Sequence, residues 1–158
     1  MAAGKTYEPI STTTVSGTPT SVSLSPPSTY TDLKIVVWHS TAFADNLNVR
    51  FNSDTAANYR FQLYTQQTAS VTNTTYIEFN YGDAANSSYD IDIMNYNNAV
   101  AYKGVQARIA PSGWVASSTT ATWNGTAAIT DILFRIGAAG TQTFPNGTII
   151  TLFGIKAA

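Results

Sequence analysis

The chain has 158 residues, carries a formal net charge of −1 and contains no cysteine. Charged residues make up 11% of it, against roughly 25% in an ordinary globular domain. A disulfide framework, a thiolate metal site and a cysteine nucleophile are therefore excluded, and without a basic run no nucleic-acid surface is expected.

The length suits one domain, which at this size buries about two thirds of the surface its unfolded chain exposes. Polarity comes from Thr, Ser, Asn and Gln rather than from charge, and Thr also suits strands. No apolar stretch approaches the roughly 18 residues of a membrane span, so no membrane partner is expected. Met1 to Ser11 lacks the apolar segment of a signal peptide. Synthesis and folding in a reducing cytoplasm fit both this and the lack of cysteine.

Short β-type runs recur along the chain. Met1 to Thr14 shows no strand pattern and is expected to be a separate N-terminal arm, with the folded domain at 15–158. Ser21 to Leu24 alternates and stops at Pro26-Pro27. Leu33 to Trp38 is nearly continuous in apolar residues, which predicts a strand covered on both faces. Leu47, Val49 and Phe51 alternate with Asn48 and Arg50, and Tyr59, Phe61 and Leu63 alternate with Arg60 and Gln62. Between these two runs, Asp54 to Asn58 is at most one helical turn.

Tyr76 to Phe79 is a short piece. Tyr89, Ile91 and Ile93 then alternate with Asp90, Asp92 and Met94. Ala101 to Ile109 reads as a strand with a bulge at Gly104. Thr119 to Trp123, Ile129 to Ile136 and Thr148 to Lys156 complete the set. Asn124-Gly125 and Asn146-Gly147 offer the positive φ of tight turns. The stretches Thr65 to Thr75 and Ala110 to Ser118 are long for hairpins and suggest crossovers between sheets. Roughly eight to ten short strands without helices predict an all-β fold, a single antiparallel β-sandwich of jelly-roll type.

Few residues offer chemistry. Asp90 and Asp92 sit two apart on a predicted strand, so both carboxylates share a face. That places them about 7 Å apart, a separation open to a glycosidase pair or to part of a calcium site. The plainer reading is a solvated face opposite Tyr89, Ile91 and Ile93. His39 is the only histidine, and no Gly-x-Ser-x-Gly elbow accompanies it. Catalysis is not expected, nor is a cofactor or metal. Asn-x-Ser/Thr occurs at Asn73, Asn86, Asn124 and Asn146 and reads as chance in an Asn- and Thr-rich chain. Most aromatics fall in phase with aliphatic core positions. Trp114 differs: it sits between Gly113 and Val115 in a predicted loop. Together with the Asp90–Asp92 face it is a candidate contact for a partner or for carbohydrate.

Several segments carry a resemblance. Tyr30-Thr31-Asp32-Leu33 leads into a strand, and Val49-Arg50-Phe51-Asn52-Ser53-Asp54-Thr55-Ala56-Ala57-Asn58-Tyr59 follows. Later come Ile93-Met94-Asn95-Tyr96, Lys103, Trp123-Asn124-Gly125-Thr126, Phe144-Pro145-Asn146-Gly147-Thr148 and Leu152-Phe153-Gly154-Ile155-Lys156. In this order they resemble small structural proteins of tailed bacteriophages. Those carry an Arg-Phe-Asn-Gly-Asp-Thr-Gly-x-Asn-Tyr segment and finish on a Gly-Ser-x-x-x-Leu-Tyr-Gly-Ile strand. The likeness runs from about Tyr30 to Lys156. This chain departs at Ser53 and Ala57, where the group often has glycine, and at Phe153, where tyrosine is usual.

The resemblance implies a jelly-roll-like domain on the outer surface of a virion, made in the host cytoplasm. The first expectation is a capsid decoration (cement) protein, a homotrimer that binds the major capsid protein and ties neighbouring shell subunits together. Tyr7, Glu8, Pro9 and Ile10 of the arm are the expected docking element, adding to a sheet edge on the shell. A tail-fibre or baseplate module, or a carbohydrate-binding host-attachment protein, is the alternative.

Overall fold

The computed structural model describes residues 7–64, 68–80, 84–112 and 116–156, with the backbone alone at 68–72. Among these residues the chain forms twelve β-strands and no helix. They are β1 (Glu8–Thr14), β2 (Ser21–Leu24), β3 (Asp32–His39), β4 (Leu47–Phe51), β5 (Tyr59–Tyr64) and β6 (Thr68–Thr74). The second half holds β7 (Ile77–Phe79), β8 (Ser87–Met94), β9 (Lys103–Ala110), β10 (Ser117–Trp123), β11 (Ile132–Ile136) and β12 (Ile149–Ile155). All strand pairs are antiparallel.

The strands build an eight-stranded sheet, β1-β12-β3-β8-β9-β10-β5-β6, and a four-stranded sheet, β2-β11-β4-β7. Eight of them reproduce a jelly roll. The orders β1-β12-β3-β8 and β2-β11-β4-β7 match the two four-stranded rows of that fold, and the strands at equivalent places in the two rows are neighbours in the chain. The other four, β9, β10 and the β5–β6 hairpin, widen the large sheet on one side. β5 and β10 lie against β7, so the extension curls around the edge of the small sheet.

Alternation makes the core. Leu33, Ile35 and Val37 of β3, and Tyr89, Ile91 and Ile93 of β8, point inward from the large sheet. Leu47, Val49 and Phe51 of β4, and Ile132, Phe134 and Ile136 of β11, meet them from the small one. Each such side chain contributes about 1.5–3 kcal/mol on burial.

One joint ties the two sheets where β4 turns toward β5. Asn52 (φ 52°) and Ser53 (φ 55°) are both left-handed, which reverses the chain. The Asn52 side chain donates to the Ala128 carbonyl at 2.7 Å and accepts from the Thr130 N–H at 2.8 Å, fixing the approach to β11. Tyr59 is buried and its hydroxyl accepts from the Phe51 N–H at 3.0 Å. Lys103 is also buried; its ammonium donates to the carbonyls of Ala101 (2.6 Å) and Thr126 (3.0 Å) and stands 5.8 Å from the Trp123 ring centre. Burial holds the Lys103 pKa below its usual value.

Several expectations need correction. The expected arm is, from Glu8 to Thr14, the edge strand β1, paired with β12. Thr65 to Thr75 is no crossover, because it contains β6, which forms a hairpin with β5 in the same sheet. Ala110 to Ser118 likewise joins β9 to β10 within that sheet. β3 is not covered on both faces: Lys34, Val36 and Trp38 lie outward, and Trp38 is 41% exposed. Gly104 pairs regularly with Met94 and Thr122, without a bulge. Gly147 has the expected positive φ of 86°, whereas Gly125 does not. Gly125 is needed for space, since a Cβ there would stand 2.2 Å from the Trp123 ring.

Candidate functional site

The outward positions of β3, β8 and β9 form one row of charges. Strand register sets Val36 opposite Asp90 and Lys34 opposite Asp92. It also sets Asp90 opposite Arg108 and Asp92 opposite Gln106. As the Asp-x-Asp alternation predicts, both carboxylates lie on the outer face. They are not left to solvent alone. Lys34 Nζ pairs with Asp90 and, at 3.2 Å, with Asp92. From the other side, the Arg108 guanidinium reaches Asp90 at 3.1 Å and Asp92 at 3.2 Å. Desolvation lowers the Lys34 pKa, but its hydrogen bonds to the Asp90 and Asp92 carboxylates, with their charge, more than offset it, so the net shift is upward.

Two carboxylates and two cations thus form a closed, neutral network. An acid–base pair would set two carboxyls in contrasting environments, whereas Asp90 and Asp92 share the same partners. Among the described residues, no three His, Asp or Glu side chains gather as a metal site would require.

Beside this network the sheet opens into a depression of about 710 Å³. Asp90, Arg108, Ser118 and Tyr64 line it in sequence, from β8 through β9 and β10 to β5. Tyr64 is 43% exposed, and its hydroxyl donates to Gln62 Oε1 at 2.7 Å. Ala110 and Ala116, at the ends of the β9–β10 connection, border the depression. Trp114 belongs to that connection but lies outside the described residues.

The four docking residues fall on β1 and its approach. Glu8 accepts from the Tyr30 hydroxyl at 3.0 Å and pairs with Lys156 at 3.2 Å. Ile10 packs on the core. Pro9 stands opposite Phe153, next to a register shift. Tyr7 and Pro9 are the exposed two of the four, and the Tyr7 ring lies 5.8 Å from Lys34 Nζ. The sequence pattern missed the role of this segment because a polar edge strand is held by backbone bonds rather than by an apolar face.

His39 is a core residue. Its ring stacks on Phe43 at 3.8 Å, and Nδ1 donates to the Thr41 carbonyl at 2.8 Å. Burial pushes its pKa down, and the Thr41 carbonyl only partly opposes this.

Sequence reasoning did not find Lys34, Arg108 or Tyr64 as parts of one site. Each is an ordinary outward residue of its own strand, and only the order β3-β8-β9-β10-β5 brings them together. No family model matches the chain, and no curated protein matches it either.

Proposed function

We propose that the protein is a structural component of a tailed-phage virion: a capsid decoration protein that packs as a homotrimer on the outer shell. One observation carries this reading. A largely apolar band of Trp38, Val36, Ile149 and Phe153, with Thr151 and Lys34 among them, runs down the outer face of β3 and β12. Tyr7, Val36 and Phe153 enclose an apolar notch of about 320 Å³ beside Lys34. A contiguous apolar strip rimmed by polar residues is the usual mark of a protein–protein contact. The jelly-roll topology and the resemblance to small phage structural proteins support a virion as its setting. Modest contacts would be multiplied by a trimer engaging several shell subunits at once.

The arm-docking idea changes accordingly. Deleting the first ten residues would remove three of the seven residues of β1 and the Ile10 packing, so loss of binding would report on folding. A substitution on the band is cleaner. Purified protein is mixed with particles stripped of surface proteins, sedimented and counted, and its oligomeric state is measured by analytical ultracentrifugation. Trimers bound in numbers comparable with the shell subunit, and lost in Trp38→Glu at unchanged melting temperature, are expected. A monomer that never sediments with particles overturns the reading. A few copies per particle would move it to the tail.

A further inference from the structure

We infer that the depression between Arg108 and Tyr64 is a binding site for a neutral pyranose unit of a glycan. This goes beyond the virion reading and does not rest on it, because the apolar band occupies the β12–β3 half of the outer face and the depression the β8–β5 half.

The geometry comes from register. Arg108 and Tyr64 both stand opposite Ser118, one on each side. Neighbouring strands are 4.7–4.9 Å apart, so the two side chains rise about 10 Å apart over a small central residue. Ser88, Ala110 and Ser118 leave the floor low. The result is a saddle one sugar ring wide, with an aromatic wall and a charged wall.

Each wall suits one side of a pyranose. The Tyr64 ring is held by its hydroxyl bond to Gln62, which leaves an apolar face for the C–H side of the sugar. Opposite it, one terminal nitrogen of Arg108 is occupied by Asp90 and Asp92. Among the described residues its other N–H groups carry no hydrogen bond, and the side chain is 62% exposed. Asp90 beside it supplies acceptors. A guanidinium donor next to a carboxylate acceptor matches two adjacent hydroxyls, each of which donates and accepts.

Charge selects the ligand class. Lys34 and Arg108 are balanced by Asp90 and Asp92. In the depression an anionic sugar would meet a neutralised guanidinium and the Asp90 carboxylate, and a cation would meet the Arg108 guanidinium. A neutral polyol needs no compensating charge and loses little on desolvation when its hydroxyls are paired.

The test uses the full-length protein on an array of immobilised neutral and acidic glycans, with every hit re-measured by calorimetry using the free oligosaccharide. Binding to neutral hexose or N-acetylhexosamine glycans is expected. Tyr64→Ala and Arg108→Met should each weaken it by about tenfold or more, the equivalent of ~1.4 kcal/mol. Tyr64→Phe should retain the stacking, and Val100→Ser, on an exposed loop outside the depression, should bind as the parent does. Unchanged melting temperatures separate these losses from unfolding. Silence across the array, hits confined to acidic glycans, or binding indifferent to both Tyr64→Ala and Arg108→Met would overturn the assignment.

Discussion

The indole Nε1 of Trp123 donates to Asp54 Oδ2 at 2.7 Å, joining the end of β10 to the turn between β4 and β5. The same carboxylate accepts from Asn58 Nδ2 at 3.0 Å and from the Ala56 N–H at 2.8 Å. Asp54 closes an Asx turn on the Ala56 N–H, and the segment Asp54 to Asn58, at most one helical turn by its sequence, forms no helix. Three donors converge on one acid.

Acid sensitivity follows from that convergence. Burial raises the Asp54 pKa, but bonds from Asn58, Trp123 and Ala56 outweigh it, so the folded value lies below the ordinary one. A depressed carboxylate contributes stability above its unfolded pKa and loses it as pH falls through the folded value. Asp54→Asn should therefore be less stable than the parent at pH 7, and the gap should close below about pH 4. Urea titrations across that range measure it, and a constant gap would contradict the assignment.

Ser53 has a φ of 55°, while Ala57 is not among the left-handed residues. A non-glycine residue there costs roughly 1–2 kcal/mol, part of which glycine returns as chain entropy. Ser53→Gly should raise stability by about 0.5–1 kcal/mol, and Ala57→Gly should not raise it. Denaturation midpoints of the two single variants decide the point. Equal effects would mean that the turn geometry is wrong.

Phe134 is fully buried at the centre of β11, opposite Val22 on β2 and Val49 on β4. Phe134→Ala should cost about 3–5 kcal/mol, the range for deleting a large ring from a packed core. The neighbouring Leu133 is only half-buried on the other face, so Leu133→Ala should cost distinctly less. Chemical denaturation of both variants checks the strand phase.

His39 is the only histidine, so its titration is isolated from others of its kind. Its folded pKa is lowered, chiefly by burial, and the unfolded chain therefore takes up the proton first. Stability should decline as pH falls below about 6.5 toward the folded value. His39→Phe should flatten this part of the profile. Glu78 works in the opposite sense near pH 4.5, since burial raises its pKa from 4.5. Measuring the profile in a Glu78→Gln background removes that opposing contribution. An imidazole resonance that titrates normally would refute the argument.

The sequence by itself determined the all-β class and the phase of β4, β5 and β8. In those strands one face is buried and the other wet, so period-two alternation is written directly into residues such as Tyr59, Phe61 and Leu63. It also placed Asp90 and Asp92 together on one outer face. β1 and β6 escaped, because edge strands such as Glu8–Thr14 are held by backbone bonds to a neighbour and need no apolar pattern. Leu33 to Trp38 misled for a related reason: Trp38 and Val36 look like core in a sequence window, although both face outward, Val36 half-buried and Trp38 exposed.

Only the tertiary structure decided which strands are neighbours. Lys34 and Arg108 reach the same two carboxylates from strands on either side of β8, and Tyr64 completes the depression from farther along the same sheet. A strand's own residues specify which face they point to, but not which strand lies beside it. That choice is made by packing the two sheets against each other, and it set Asp90 beside Arg108 at one wall of a candidate binding site.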